Sequence, residues 1–157
     1  MGFYQDHDLG NRIDLAYGSD SVAVTAGGAG DAVQVTSQSF DRFAVNEPLS
    51  MVAAIRYKAV LAAAATLSLA YVVEHSDDNA TFVTLTAATG STGASAVVAT
   101  GPAGGGTVRG IVQIPLDLAG AKEYVRLKFT PDLSAANTDT AEISALFVLG
   151  GQRILPV

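Results

Sequence analysis

The sequence predicts an all-β protein: an antiparallel β-sandwich, jelly-roll-like, with an extended N-terminal arm. Three observations carry that expectation. Eight or nine short runs alternate in polarity or are rich in β-branched and aromatic residues. Turn signals separate them at intervals of about ten residues. No segment sustains the periodicity of an amphipathic helix, and no fixed-period repeat points to a solenoid or propeller.

The totals bound the rest. A chain of 157 residues reads as an arm over 1–20 and a single sandwich domain over 21–157, large enough to bury roughly 70% of its unfolded surface. Hydrophobic residues make up 49% and charged residues 15%, enough for a packed core. Cysteine is absent, which excludes disulfides, thiolate metal sites and Cys nucleophiles. The net charge of −6, with bases scattered, repels phosphate backbones, so no nucleic-acid partner is expected. The opening MGFYQDHDLGNR has no cationic or apolar region of a signal peptide. The longest nearly apolar stretch, Val60 to Val73, is fourteen residues long and interrupted by Thr66 and Ser68, too short for a membrane-spanning helix. A soluble domain without a membrane partner is expected.

Residues 1–20 are polar and weakly periodic, as in a terminal arm, yet they carry Phe3, Tyr4, Ile13, Leu15 and Tyr17, apolar side chains suited to docking on a partner. Ser21–Thr25 and Ala32–Thr36 read as a short β pair around the loop Gly27-Gly28-Ala29-Gly30-Asp31. That loop lacks the Gly-Lys-Ser/Thr ending of a phosphate cradle and is followed by a strand rather than a helix. Ser37–Pro48 is a connection in which Asp41 and Arg42 are expected to pair. Ser50–Lys58 reads as a strand buried along much of its length. The alanines of Leu61–Ala65 are too few to sustain a helix and form a loop.

Thr66–Leu85 is the clearest hairpin. Leu67, Leu69, Tyr71 and Val73 share one face, and His75-Ser76-Asp77-Asp78-Asn79 supplies turn-forming side chains before Phe82, Val83 and Leu85. Thr86–Gly106 is of low complexity around the run Ala96–Ala99, and Gly101–Gly106 is a strong breaker. Thr107–Ile114 is a strand expected to stop at Pro115. Glu123–Thr130 alternates cleanly, with Val125, Leu127 and Phe129 on the buried face. Pro131–Asp139 reads as a polar excursion. Ala141–Leu149 is a strand apolar on both faces, ended by Gly150-Gly151, with a tail containing Arg153, Ile154 and Leu155.

The chemistry-bearing residues assemble no site. Asp6-His7-Asp8 reads as solvated. His75, Ser76 and Asp77 are adjacent, so they cannot approach one another as a catalytic triad does. Asp77, Asp78 and Asn79 lack the spaced pattern and distant Glu of a calcium loop. Glu74 with Glu123 or Asp139 would supply a glycosidase pair only if the fold joined them. Tyr57, Tyr71 and Tyr124 could stack sugars, but their positions suit a sheet face. No catalytic residue, cofactor or metal is predicted, and the chain is not expected to be an enzyme.

The tract Val72-Val73-Glu74-His75-Ser76-Asp77-Asp78-Asn79-Ala80-Thr81-Phe82 resembles a hairpin of small head proteins of tailed bacteriophages. So do Ala26–Asp31 followed by Gln38-Ser39-Phe40-Asp41-Arg42, and the pattern Tyr124-Val125-Arg126-Leu127, Thr130-Pro131-Asp132-Leu133-Ser134, Asp139-Thr140 and Gly150-Gly151. The resemblance implies a capsid decoration, or cement, protein with a jelly-roll-like fold. It would bind the major capsid protein on the outside of the head as a homo-oligomer (dimer or trimer) after synthesis in the host cytoplasm. Phe3, Tyr4, Ile13, Leu15, Tyr17, Arg153, Ile154 and Leu155 are the candidate contact residues. The alternative is a carbohydrate-binding or adhesion sandwich of a phage tail fibre, with a hydrolase on the same scaffold a distant third.

Overall fold

A computed structural model describes residues 12–85, 92–134 and 138–152. Its described residues form eleven strands: β1 (Ile13–Tyr17), β2 (Val22–Thr25), β3 (Val35–Thr36), β4 (Phe40–Asp41), β5 (Pro48–Leu61), β6 (Thr66–Ser76), β7 (Val83–Thr84), β8 (Thr92–Thr100), β9 (Gly106–Asp117), β10 (Tyr124–Leu133) and β11 (Thr140–Gln152). They make two antiparallel sheets. The first has the order β1-β11-β5-β9, with β2 also on β11; the second has β3-β10-β6-β7, with β4 also on β10 and β8 on β6.

β1 and β2 lie end to end along β11, opposite Leu146–Gly150 and Thr140–Ile143, so they act as one edge strand interrupted at residues 18–21. β3 with β4 along β10, and β7 with β8 along β6, are broken in the same way. Merging each pair leaves four strands facing four. Every connection except the one after β6 passes from one sheet to the other, which is the winding of a jelly roll.

The core lies between the sheets because each long strand alternates strictly. Met51, Ala53, Ile55, Tyr57, Ala59 and Leu61 of β5 point inward, as do Ala141, Ile143, Ala145, Phe147 and Leu149 of β11. Leu67, Leu69 and Val73 of β6 meet them with Val125, Leu127 and Phe129 of β10. Phe40 and Phe147 pack with ring centroids 5.2 Å apart, a tilted pairing that favours the edge of one ring against the face of the other.

Several local expectations change. Val22–Thr25 and Val35–Thr36 do not pair with each other: β2 joins β11 and β3 joins β10. The Gly-rich loop between them crosses the sandwich instead of reversing as a hairpin. Asp31 fixes that crossing, accepting from the Gly27 N–H at 2.7 Å and from the Leu133 N–H at 2.8 Å. Gly30 has a φ of +77°, and a Cβ there would lie 2.6 Å from the Ala23 carbonyl oxygen, so glycine is required.

β9 continues through Pro115 to Asp117. It is an edge strand, so a missing N–H can face the open side without breaking a ladder bond. β10 likewise runs through Pro131. The Pro131 carbonyl accepts from the Ala32 N–H at 2.8 Å, so the proline nitrogen faces that side and the pairing with Leu69 of β6 continues.

Residues 13–17, read from sequence as part of the arm, are hydrogen-bonded into the first sheet. The low-complexity tract contains β8. Asp41 and Arg42 do not form the expected pair. Asp41 accepts from the N–H groups of Phe43 and Ala44 at 2.8 and 3.2 Å. Arg42 is buried and donates to the carbonyls of Ala121, Lys122 and Pro48, tying the β4–β5 connection to the β9–β10 connection; burial lowers its pKa.

Candidate interaction surface

The two outer faces of the sandwich differ in kind. On the second sheet, Glu74 sits between Arg126 and Lys128, with N–O distances of 2.7 and 3.0 Å, because the register places Arg126 opposite Glu74 on the same face. The Arg126 guanidinium lies 3.6 Å from the centroid of the Phe82 ring, a cation–π contact. Burial pushes the Glu74 carboxyl up, but hydrogen bonds from Lys128 and Arg126, and their charges, outweigh it and hold the group below its ordinary value. The charges at its centre are paired, and Val97 is an exposed apolar residue at its β8 edge.

The first sheet is different. Alternation turns Leu15, Tyr17, Val52, Ala54, Ile111, Pro115, Leu146 and Val148 away from the core. Register aligns Leu15, Val148, Val52 and Pro115 in one row, and Tyr17, Leu146, Ala54 and Gln113 in the next. Leu15 is 71% exposed, Ile111 59%, Tyr17 55% and Leu146 41%. A sheet with one solvated face ordinarily carries polar residues there, and contiguous exposed apolar surface on this scale marks an interaction site. An open depression of about 680 Å³ lies at one end of this face, lined by Ile13, Leu49, Val52, Pro115 and Val148 among others.

Of the residues singled out for partner contact, Ile13, Leu15 and Tyr17 all lie on this face, as part of β1. Phe3, Tyr4, Arg153, Ile154 and Leu155 lie outside the described residues. Ile13 pairs opposite Gly150, so the start of β1 and the end of β11 lie at the same end of the sheet. The remaining members of the face, on β5, β9 and β11, were not singled out. Their signal was partial: the outward parity of Ser50–Lys58 holds Val52 and Ala54 beside Ser50, Arg56 and Lys58, and that of Ala141–Leu149 holds Leu146 and Val148 after Glu142 and Ser144.

The chemistry-bearing candidates are engaged structurally. Asp78 accepts from the Thr81 N–H at 2.7 Å, the Ser76 hydroxyl at 2.7 Å and the Ala80 N–H at 2.9 Å; these bonds hold its carboxyl far below the usual carboxylate range. Asp77 pairs with Lys122 at 2.6 Å, Asn79 accepts from the Ser39 hydroxyl at 2.6 Å, and His75 Nδ1 accepts from the Lys122 N–H at 3.1 Å. Desolvation by burial is the main cause that lowers the His75 pKa. Asp139 accepts from the Ala62 N–H beyond the Thr66 end of β6, whereas Glu74 sits near the other end of that strand, so the fold does not join them. Tyr57 is buried and donates to the Val98 carbonyl at 2.7 Å across the sandwich, and Tyr71 packs on Gly93. Among the described residues, no group of three or more His, Asp or Glu side chains is placed to hold a metal.

No protein-family model matches the chain, and no curated protein matches it. Solved structures do. The chain is similar to a structure of infectious bursal disease virus Gt strain, with a TM-score of 0.46 and 14% identity over 92% of this chain and 33% of that one. A Gx strain structure gives 0.45 and 12% over 92% and 33%. A mutant VP2 protein of the same virus, in derived T=1 particles, gives 0.41 and 10% over 88% and 31%. The chain spans about a third of the length of those chains.

Proposed function

We propose that this protein is a non-catalytic virion component, a capsid decoration or cement protein that binds the major capsid protein on the outside of a tailed-bacteriophage head and stiffens the lattice. The observation that carries the reading is the pair of apolar rows, Leu15 with Val148, Val52 and Pro115, and Tyr17 with Leu146 and Ala54, that no described residue covers on the outer face of the first sheet. A jelly roll serves capsid, lectin and cupin domains alike, so the fold does not choose among them; the character of the surface supports the capsid reading. An open depression at one end of this face is lined mainly by apolar side chains, and Ile13, Leu15 and Tyr17 belong to the face. That chemistry suits burial against another protein surface. The resemblance of the Glu74–Phe82 hairpin to head proteins of tailed phages supports the same assignment.

The test is co-sedimentation of the purified protein with undecorated heads, followed by their heat resistance. Saturable binding that raises the rupture temperature is expected. Absence of binding refutes the reading, and retention on a glycan column would favour the adhesion module instead. Because residues 13–17 are part of the first sheet, the arm is tested by deleting residues 2–11; loss of head binding with an unchanged unfolding transition is the expected result.

A further inference from the structure

We propose that the outer face of the first sheet is closed by a second copy of this chain. The two faces stack on a two-fold axis that crosses the strands over the row Tyr17, Leu146, Ala54 and Gln113. A second copy and a capsid subunit cannot occupy this face together, so a dimer that binds heads through it must open first, whereas a dimer that never binds heads would refute the lattice role and leave the self-association standing.

Charge selects the occupant and its orientation. Arg56 and Arg109 both lie on this face, and among the described residues neither has an ion pair or a side-chain hydrogen bond. Lys58, beside Arg109 in the register, has only a 3.8 Å contact with Glu142. All three lie toward one end of the face. At the other end, Asp117 accepts from the Ala119 N–H at 2.8 Å through one oxygen and meets no cation. Arg109 and Asp117 are equidistant along β9 from Gln113.

A two-fold axis over the Gln113 row therefore brings Arg109 of each copy over Asp117 of the other, twice by symmetry. The same operation sets Ile111 over Pro115, and Leu146 and Ala54 over their own counterparts. An axis along the strands would instead set the cation-rich end of one copy over the same end of the other and leave Arg109 away from Asp117. The size is sufficient. Four strands about 4.8 Å apart and about eight residue steps of 3.4 Å give about 500 Å² a side, or about 1,000 Å² in the pair, the lower bound of a specific interface. The competing arrangement, edge to edge along β9, would use the same axis position but loses backbone bonds at Pro115.

The chain has no cysteine, so single cysteines report the geometry. Ala54→Cys should yield a disulfide-linked dimer on mild oxidation, and Asp132→Cys, on the outer face of the second sheet, should not. Cross-linking through Gln113→Cys but not Ala54→Cys would place the copies edge to edge and overturn the stacking. Sedimentation equilibrium of the unmodified chain should show dimerisation; a monomer throughout overturns the proposal. Arg109→Asp should weaken association about tenfold by removing two symmetry-related pairs, and adding Asp117→Arg should restore it. Failure of that rescue, with Arg109→Asp still monodisperse and folded, would overturn the register.

Discussion

Phe147 and Leu146 are neighbours on β11, and their truncation should have opposite consequences. Phe147 is fully buried against Phe40 and paired laterally with Ala16 and Ala53. Those small neighbours cannot expand into the space a lost ring would leave, so Phe147→Ala should cost about 3–5 kcal/mol, transfer and cavity combined. Against a typical domain stability of about 5–15 kcal/mol, that is a severe loss. Leu146 is 41% exposed and leaves no enclosed cavity, so Leu146→Ala should cost about 1 kcal/mol in the monomer. Urea unfolding measures both, with dilute protein so that self-association adds nothing to apparent stability. Equal costs would refute the register, because a one-residue slip of β11 exchanges its two faces. Repeating Leu146→Ala at high protein concentration separates the two roles of the residue: the penalty should grow there only if its face is an interface.

Three further outcomes follow from the same geometry. Glu74→Gln should lower stability by about 1–3 kcal/mol at neutral pH by removing charge-assisted bonds from Arg126 and Lys128. Since the folded state lowers the Glu74 pKa, its contribution is present above the unfolded value of about 4.3 and is lost as pH falls through the folded one. A pH series of unfolding should therefore converge for wild type and variant in acid, and curves that stay parallel would refute the assignment. Gly30→Ala should destabilise by at least about 1–2 kcal/mol, from the left-handed backbone and the contact with the Ala23 carbonyl, measurable as a lowered Tm. Asp31→Ala should cost about 1–3 kcal/mol by leaving the Gly27 and Leu133 N–H groups unpaired, with faster hydrogen exchange at Leu133.

The sandwich was legible wherever one face alone is buried. Val125, Leu127 and Phe129 announce β10, and Leu67, Leu69, Tyr71 and Val73 announce β6, because alternation of polarity maps directly onto the pleat. Pairing partners were less legible. Val22–Thr25 and Val35–Thr36 flank a loop with the composition of a hairpin turn, yet Asp31 ties that loop to Leu133 across the sandwich, a contact 102 residues away that no local pattern encodes. The prolines misled for a related reason. Whether Pro115 or Pro131 ends a strand depends on which side its nitrogen faces, and only the assembled sheet decides that. The docking face was half legible. Val52, Ala54, Leu146 and Val148 were visible at the outward parity, but Ser50, Arg56, Lys58, Glu142 and Ser144 share that parity and gave the face the look of an ordinary solvated one.

Salt can distinguish the bodies that would cover that face. Three of the cations, Lys122, Arg126 and Lys128, are paired on or near the second sheet, and Arg42 is buried. Arg56, Lys58 and Arg109, offset in part by Glu142, leave one end of the first sheet's outer face locally cationic on a chain of net charge −6. Docking on a foreign acidic surface would draw on that local charge, with fast encounter at low salt that falls steeply as salt is added. Two copies of this chain face a different balance, because their net charges repel while Arg109 and Asp117 attract across the axis. Near 1 M salt, where the screening length is about 3 Å, the long-range repulsion is removed and the apolar rows of Leu146, Val148 and Ile111 still meet. Self-association should therefore persist or strengthen between about 0.05 and 1 M salt, as read by sedimentation equilibrium. A dimer that dissociates over that range would assign the contact to charge and refute the apolar face as its basis.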